Sequence, residues 1–440
     1  MRRSPGWVKI CALPRNYFRT QLTPASHSPL RIAHLRQRLR DLGAKPTHED
    51  RLLRGWCQVC SYDRKGSPAE TFFPAALRNE LPAIEAELNG LARLHGEYPA
   101  NCHGNHDSSP SPTLPPRKPP PQPSPASGRG GEREGPLTNP AGEGATVALR
   151  APSNNDEVAR LLVELHDGQM VESVLLPRGG LCVSTQVGCA VGCVFCMSGR
   201  AGLQRQLGSA EIVAQVVLAR KRRAVSKVVF MGMGEPAHNL DNVCEAIQLL
   251  GTQGNIGHKN LVLSTVGDLR VFERLMDGKP SPQSSPASGR GGNREKQSSI
   301  PVVKPALALS LHSTDATLRA SLLPHAPHIA VEELVERAEA YARFTGYPVQ
   351  YQWTLIEGVN DSDAELERIA RLLSGKYAIL NFIPFNQVDG LAYRRPSAER
   401  TAFMVGMLHQ RGILARLRDS AGQEIEGACG QLRARAAQTR

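Results

Sequence analysis

Three cysteines that lie close together in the chain have the type and the spacing needed to hold an iron–sulfur cluster. They occur in the run Cys189-Ala-Val-Gly-Cys193-Val-Phe-Cys196, a C-x3-C-x2-C pattern within one short segment. A 4Fe–4S cube ordinarily takes four thiolates, so three cysteines can hold three of its corners. The fourth iron must then bind something other than a protein thiolate. The spacing therefore predicts a cluster with one open iron.

A second group of candidate residues follows the apolar runs that we expect to be buried strands. Polar side chains that can hydrogen-bond come where these runs stop, and the carboxyl ends of parallel strands meet at one edge of a barrel. Such a ring of donors and acceptors suits a small zwitterionic ligand, and the glycine before Glu235 would let the backbone approach it closely. The residues at these ends are Gly234, Glu235, Ser264, Ser310, Leu311, His312 and Asn386.

The elements that must position these residues alternate between strands and helices. This alternation predicts a parallel sheet, closed or partly closed as a barrel. It is preceded by a hairpin, Ala159–Leu165 and Met170–Leu176, whose Asp-Gly pair suits a tight turn. The predicted strands are Val228–Met231, Leu261–Leu263, Ala306–Leu311, Val349–Leu355, Ile379–Ile383 and Ile413–Leu417, and the predicted helices are Ser209–Arg223, Leu240–Leu250, Val331–Phe344, Ser362–Leu373 and Ser397–Arg411.

Composition divides the chain into further segments. Residues 1–31 form a basic tail, 32–100 a small module with helical apolar spacing, 101–157 a Pro-, Ser- and Gly-rich linker, and 158–436 the catalytic domain with a similar island at 279–300. Lys118–Glu134 and Lys279–Glu295 match at all but three positions. We interpret them as copies of a mobile genetic repeat, with an arginine-glycine RNA-binding segment as the alternative.

Bulk properties favour a nucleic-acid partner and a reducing compartment. The net charge is +12 and the pI is about 9.4, and basic surfaces recruit nucleic acid by releasing its counterions. We expect no membrane span, because apolar runs stay well below about 18 residues. We also expect no secretory signal, because the N-terminal region has no apolar core. Ten cysteines, three of them in the cluster pattern, point to the cytoplasm rather than to a disulfide scaffold.

The cysteine triplet resembles the signature of radical S-adenosylmethionine (SAM) enzymes, in which SAM binds the open iron. Together with other motifs, it resembles the RlmN/Cfr family of radical SAM RNA methyltransferases over residues 32–98 and 158–436. The resemblance implies a partial (βα)6 TIM-like barrel with a small N-terminal α-helical accessory domain that binds RNA. The other motifs are Thr185–Cys189, Met231–Pro236, Leu263–Thr265, Ser310–His312, Ile383–Asn386 and Ala428–Leu432.

The same resemblance implies a covalent mechanism with three further residues. A methyl group from one SAM would move to the thiol of Cys429. A second SAM, cleaved at the cluster, would give a radical that abstracts hydrogen from this S-methyl group, and the carbon radical would add to the base. Cys182 would then break the resulting crosslink by forming a disulfide, and Glu172 would remove the ring proton.

Cofactors and partners follow from the resemblance as well. They are a [4Fe–4S] cluster, SAM, an electron donor such as flavodoxin, and an adenine in ribosomal RNA or, as a second choice, transfer RNA. Carbon 2 of the adenine is expected before carbon 8, but Met197–Gln206 matches neither branch of the family cleanly. Oligomeric state is left open. Two other functions also stay open: a radical SAM enzyme that activates a protein, and an inactive iron–sulfur or RNA-binding paralogue.

Weaker candidates lie outside these motifs. Cys57 and Cys60 have the spacing of half a zinc site or of a redox pair, although we expect Cys57 to lie on a buried helix face. Cys244 is expected in the core. Arg220–Arg223 and Arg394-Arg395 are candidates for contact with RNA phosphates.

Overall fold

The computed structural model describes residues 29–99, 158–277, 302–386 and 391–418. Its helices are α1 (Ile32–Asp41), α2 (Pro46–Gln58), α3 (Ala69–Phe72), α4 (Ala75–Gly90), α5 (Ser209–Arg220), α6 (Leu240–Thr252), α7 (Leu269–Asp277), α8 (Ala316–Leu322), α9 (Val331–Thr345), α10 (Asp363–Leu373) and α11 (Ala398–Gln410). Its strands are β1 (Ala92–Pro99), β2 (Ala159–Leu165), β3 (Met170–Leu176), β4 (Gly180–Cys182), β5 (Gln186–Gly188), β6 (Leu203–Gln206), β7 (Lys227–Phe230), β8 (Leu261–Thr265), β9 (Ala306–Ser310), β10 (Val349–Leu355), β11 (Ala378–Pro384) and β12 (Ala415–Leu417).

The N-terminal module is helical, as expected. Apolar residues at helical spacing make one buried face on each long helix, with Leu35 on α1 and Leu52 on α2 almost fully buried. Pro46 opens α2, where its missing N–H would have had no helical partner anyway. The module's apolar residues belong to the same continuous core as the barrel, so the module is packed onto the barrel in the described residues.

One part of this module differs from the prediction. The helical interpretation ran through residue 98, but α4 ends at Gly90 and residues 92–99 form β1. This strand pairs antiparallel with β2 and adds an edge to the main sheet. The apolar pattern looked continuous past Gly90 because buried residues also recur along a strand. In β1, for example, Ala92 is buried and its neighbour Arg93 is exposed.

The main sheet has ten strands in the order β1-β2-β3-β4-β7-β8-β9-β10-β11-β12. β1 to β4 pair antiparallel, and every pairing from β4 to β12 is parallel. The order has two edges, so the sheet is the expected partial barrel rather than a closed one. β5 and β6 form a separate two-stranded sheet beside the cysteine segment.

One face of the main sheet packs on the helices, and the other faces the inside of the barrel. Val174, Cys182 and Val229 are register partners on β3, β4 and β7. They form one buried cluster with Val262 and Ala308 of β8 and β9. This set defines the inner face. Residues that alternate with it belong to the large core between sheet and helices, because successive side chains of a strand point to opposite faces.

The predicted elements agree with the observed ones to within a few residues. The hairpin and β10 have the expected bounds, and Gly168 in the hairpin turn has a φ of 79°. The last strand is shorter than predicted and begins at Ala415. α7 ends and β9 begins at the amino edge of the parallel strands, so the described flanks of the 279–300 island lie away from the carboxyl ends. The tail, the linker and both islands lie outside the described residues.

Among the described helices, each is too short or too polar to cross a bilayer.

Candidate active site

The cysteine segment is a tight loop between β5 and a short 3-10 helix at Met197–Gly199. Gly188, just before the loop, and Gly192, inside it, have φ values of 82° and 66°, which residues with a Cβ rarely adopt. A Cβ on Gly188 would lie 2.0 Å from the carbonyl oxygen of Gly202. Only glycine allows the two backbone segments to approach this closely, so glycine positions determine the shape of the loop.

Burial and proximity shape the chemistry of the three thiols. All three cysteines are partly buried. Burial raises the pKa of Cys189 to about 11 and also raises the pKa of Cys193, and the neighbouring thiols raise both further. Backbone N–H groups of Val191 and Gly192 act on Cys189 in the opposite direction. Because a bound metal deprotonates a coordinating thiol outright, thiols gathered like this fit an iron–sulfur cluster.

The loop is anchored to the last residue of α8 and to the segment that follows this helix. Val194 N–H donates to the Leu322 carbonyl at 3.1 Å, and His325 N–H donates to the Val191 carbonyl at 3.2 Å. Across the described ranges, no three His, Cys, Asp or Glu side chains are placed to hold one metal ion. In a 4Fe–4S cube each thiolate binds a different iron. Cysteines that bind a cube therefore need not lie as close together as the ligands of a single metal ion.

Glu235 ties the end of β7 to the end of β8. Its carboxylate accepts hydrogen bonds from Ala237 N–H at 3.1 Å and from Val266 N–H at 3.0 Å. Burial raises its pKa to about 7, although these hydrogen bonds act in the opposite direction. Gly234 before it has a φ of 101°, and a Cβ there would lie 2.6 Å from Gln186. The predicted glycine–glutamate pair is therefore a rigid corner beside β5.

Ser264, near the end of β8, and Ser310, at the end of β9, lie on the inner face. Ser264 pairs with Ala308 of the inner cluster, and Ser310 is the last residue of β9 and is partly buried. Leu311 differs from them, since its side chain is fully buried in the core between sheet and helices. Its N–H donates to the Gln352 carbonyl at 3.0 Å. Leu311 thus fixes the backbone between Ser310 and the next residue rather than facing the inner side.

His312 is held in one orientation and one tautomer. Its backbone has a φ of 61°, and Asn360 Nδ2 donates to its carbonyl at 2.7 Å. Its Nδ1 lies 2.9 Å from Thr354 N–H; since an amide only donates, Nδ1 accepts and the proton sits on Nε2. Burial lowers its pKa to about 3, so the ring is neutral at physiological pH. Its centroid lies 4.8 Å from that of Phe195 in the cysteine loop.

Asn386 closes the ring of candidates after β11. It is partly buried, and its Oδ1 accepts from Arg395 Nη2 at 3.1 Å. Arg395 also donates to the Phe385 carbonyl at 3.3 Å. The arginine that we considered for RNA phosphates therefore supports the loop that carries Asn386. Residues 387–390, which follow, lie outside the described ranges.

The sequence did not single out Arg319, which lies between the cysteine loop and Glu235. It belongs to α8 and is 4% exposed. Its guanidinium donates to the Val266 and Ser310 carbonyls. Burial lowers its pKa to about 10, and Cys193 and Glu235 act in the opposite direction. A buried cation at this point offsets the negative charge that thiolates and a carboxylate would bring.

Glu172 lies on the inner face of β3 in a buried ion pair. Its Oε2 lies 2.9 Å from Arg160 Nη2, and both side chains are 2% exposed. In the register of β2 and β3, Leu162 lies opposite Glu172, and Arg160 lies opposite Val174. Val174 is a member of the inner cluster, so Arg160 and Glu172 also face the inside of the barrel. The simplest alternative, a solvent-exposed strand glutamate, is wrong. A buried, oriented carboxylate is instead available inside the barrel.

Cys182 shares this inner face. It is 8% exposed and ends β4, the strand that leads into the cysteine segment. Two residues on, the Ser184 hydroxyl donates to the Glu172 carbonyl at 2.6 Å and accepts from Met233 N–H at 3.0 Å. One buried serine thus joins β3 to the loop that carries Gly234. Glu172 and that loop are therefore joined through Ser184, which lies two residues after Cys182.

Cys429 lies outside the described residues, so its position relative to the loop stays a prediction. The described cysteines form no disulfide with one another, and the disulfide expected between Cys182 and Cys429 involves a residue outside the described ranges. In the N-terminal module, Cys57 is fully buried, whereas Cys60 is exposed. This placement does not support half a zinc site, because the two side chains lie in different environments. Cys244 is partly buried on α6, and burial raises its pKa.

Comparison with known proteins identifies the family. Residues 183–282 match the model of the Radical SAM superfamily. A probable RNA methyltransferase of Methylibium petroleiphilum is 56% identical over 407 residues, covering 92% of this chain and 94% of that protein. Another, from Pseudomonas aeruginosa, is 54% identical over 411 residues, covering 93% and 96%. This chain belongs to their family.

A solved structure agrees with this radical SAM assignment. The crystal structure of a radical SAM methyltransferase from Sphaerobacter thermophilus is similar with a TM-score of 0.64 and 30% identity, covering 92% of this chain and 97% of that one. As a radical SAM enzyme, this chain uses SAM and a 4Fe–4S cluster, which confirms the predicted cofactors. The cysteine triplet, Glu235 and Ser264 all lie within the matched segment.

Proposed function

We propose that this radical SAM enzyme methylates a ring carbon of an adenine in RNA. The methyl group comes from SAM and passes through an S-methyl group on Cys429. Carbon 2 is the first choice and carbon 8 the second, in ribosomal RNA before transfer RNA. The observation that carries the proposal is that a buried carboxylate, Glu172, and a buried thiol, Cys182, lie on neighbouring strands and share the inner face of the barrel.

The cofactor-binding roles follow the geometry of the strand ends. Cys189, Cys193 and Cys196 would hold the cluster, which supplies reductive cleavage of SAM when an electron donor such as flavodoxin reduces it. Six residues, His312 and five others, surround the space for SAM and bind it through their polar groups. His312 presents its Nε2–H as a donor, because Thr354 N–H occupies the other ring nitrogen. The five are Gly234, Glu235, Ser264, Ser310 and Asn386, with Leu311 holding the backbone between Ser310 and His312.

The target chemistry explains why two thiols are needed. Ring carbons of adenine are electrophilic, so they do not attack the methyl group of SAM as a nucleophile would. A sulfur that first takes the methyl group can carry it to the base as a bonded carbon. The product is then linked to the protein through that carbon. The Cys182 sulfur then attacks the Cys429 sulfur, and the carbon leaves with the electron pair of the carbon–sulfur bond. The carbon takes up a proton, which completes the methyl group on the base, and the two sulfurs are oxidised to a disulfide.

Glu172 removes the ring proton in this proposal. A general base must sit within hydrogen-bond reach of the proton that it takes, and a fixed orientation lowers the cost of reaching that geometry. The ion pair with Arg160 holds the carboxylate in place at 2.9 Å. Burial also keeps bulk water away from the reacting carbon. The same position on an exposed strand would offer neither advantage.

The RNA partner is supported by charge and by the accessory module. The chain carries a net charge of +12, and the N-terminal helices are rich in arginine. Arg38, Arg40 and Arg54 are at least partly exposed on α1 and α2. Exposed arginines of this kind bind phosphates and position the RNA without reading its sequence.

Mass mapping of RNA from a strain without this gene tests the proposed function. We expect one adenosine to lose a ring methyl group in that strain and to regain it when the wild-type gene returns. A gene encoding Cys429→Ala should fail to restore it. An unchanged set of methylated adenosines in the deletion strain would refute RNA methylation.

A further inference from the structure

One buried side chain inside the barrel has both of its polar atoms without a partner. Asn381 on β11 is 1% exposed. Within the part of the chain that the structure describes, neither its Nδ2 nor its Oδ1 makes a hydrogen bond. Buried polar side chains in proteins are nearly always paired. Two unpaired atoms on one buried amide therefore require an explanation.

The side chain points to the inner face of the barrel. Its strand neighbours Leu380 and Phe382 are fully buried in the core between sheet and helices, so Asn381 points the other way. Its register partners are Gln352 on β10 and Arg416 on β12. Gln352 in turn pairs with Ser310. Asn381 thus belongs to a polar layer that includes a residue from the SAM-binding ring.

The chemistry of the unpaired amide limits what can satisfy it. A carboxamide offers one donor and one acceptor side by side. A phosphate or carboxylate offers only acceptors, and an ammonium group offers only donors, so each would leave one atom unpaired. The edge of an adenine ring presents an amino donor beside a ring-nitrogen acceptor, and asparagine pairs with that edge in a bidentate way.

We propose that Asn381 is a base-reading residue that pairs with the donor–acceptor edge of an adenine ring. This enzyme meets adenine from two sources, the nucleoside of SAM and the target base in RNA. The first rests on the radical SAM chemistry of the family. The second deepens the proposed function and depends on it. The same residues around Asn381 would surround the adenine ring whether it belongs to SAM or to the target base.

Two matched variants test the proposal in the full-length, cluster-reconstituted protein. Asn381→Leu keeps a similar volume but removes both amide atoms. Tyr351→Phe is the control, because Tyr351 is also fully buried with an unpaired polar atom, on the outer face of the neighbouring strand. Both variants remove an unsatisfied buried group, so both should keep or raise the melting temperature. If Asn381→Leu does not fold, Asn381→Ala removes the amide without adding bulk.

Two binding measurements separate the sources of adenine. The first is the affinity for radiolabelled SAM without RNA, by equilibrium dialysis. The second is the concentration of total RNA from the deletion strain that gives half-maximal methyl transfer at saturating SAM. We expect the asparagine variant to weaken one of them by roughly 5- to 150-fold, the range of one bidentate contact with a base, and Tyr351→Phe to change neither. Loss in the SAM measurement assigns the contact to SAM, and loss in the RNA measurement assigns it to the target base.

Other results would overturn the proposal. Unchanged values in both measurements would mean that water satisfies the amide. Equal losses in Asn381→Leu and Tyr351→Phe would mean a general effect of altering buried residues. If the wild-type protein binds SAM but methylates no RNA, the proposed function fails separately. In that case an unchanged SAM affinity in the asparagine variant overturns the base-reading role by itself.

Discussion

At the scale of single residues, two buried titratable groups at the carboxyl ends of the strands, Glu235 and His312, respond to pH in opposite directions. The pKa of Glu235 is raised from 4.5 to about 7, so its contribution to stability is full below pH 4.5 and is lost as the pH rises through 7. The pKa of His312 is lowered from 6.5 to about 3. The unfolded chain therefore takes up that proton first, and stability falls as the pH drops below 6.5.

This opposition gives a prediction for two variants of the cluster-free protein. On acidification from pH 6.5 to 4.5, each group changes the free energy of unfolding by up to about 1.4 kcal/mol per pH unit, with opposite signs. Glu235→Gln should lose more stability on acidification than the wild type, and His312→Asn should lose less. Urea unfolding at both pH values measures this. Identical pH slopes in all three proteins would contradict it.

The buried Arg160–Glu172 pair gives a second prediction. Arg160→Met removes the cation beside a buried carboxylate and should cost about 3–5 kcal/mol of unfolding free energy. Glu172→Gln in the same protein removes the charge and should restore most of that stability. Methyl transfer should stay absent in the double variant, because no base remains. Restored methylation would mean that Glu172 only supports the fold.

At the scale of elements, the glycines of the cysteine loop determine whether a cluster can be held. Gly188→Ala would place a Cβ 2.0 Å from the Gly202 carbonyl oxygen, and we expect it to abolish cluster loading, measured as iron per chain after reconstitution. Gly202→Ala is the control. Gly202 also has a positive φ, 68°, but open space around its Cβ position, so that variant should lose only about 1–2 kcal/mol of stability and keep its iron. Equal iron content in the two variants would exclude a steric cause.

Sequence patterns predicted the elements with a strong period and missed groups that depend on tertiary contacts. β10 alternates apolar and polar residues, and an Asp-Gly pair marks the turn of the hairpin, so the bounds of both were predictable. β1 was not, because it follows α4 with almost no break in apolar spacing. Arg319 and Asn381 carry no local signal: one is a single arginine on a short helix, and the other is a polar residue within an apolar strand. Their roles arise only when the barrel brings Glu235, Ser310 and the cysteine loop together.

At the scale of the whole molecule, α5 joins the helical module to the barrel. Ile32 N–H donates to Ser209 Oγ at 2.8 Å. Arg220 Nη1 donates to the Cys57 carbonyl at 2.6 Å, and its Nη2 donates to the Gly254 carbonyl at 2.8 Å. The sequence made Arg220 a candidate for contact with RNA phosphates, but its N–H groups instead donate to carbonyls that link the module to the barrel. The structure favours a structural role for it.

Salt dependence separates the two roles of Arg220. Arg220→Met should lower the unfolding free energy by about 1–3 kcal/mol, because it leaves buried carbonyls unpaired, and should leave the slope of RNA affinity against salt unchanged. Lys221→Ala, at an exposed neighbour, is the control for stability and should change it little. A phosphate contact at Arg220 would instead reduce the salt slope by nearly one unit.

In the proposed mechanism, a methyl-carrying Cys429 becomes bonded to an RNA adenine, and Cys182 releases it. The most direct measurement is to incubate the reconstituted Cys182→Ala enzyme with SAM, a reductant and RNA from the deletion strain, and to separate the products on a denaturing gel. We predict an RNA–protein crosslink that mass spectrometry locates at Cys429 and that disappears in Cys182→Ala/Cys429→Ala. Normal release of methylated RNA by Cys182→Ala, or a crosslink that persists without Cys429, would contradict the account.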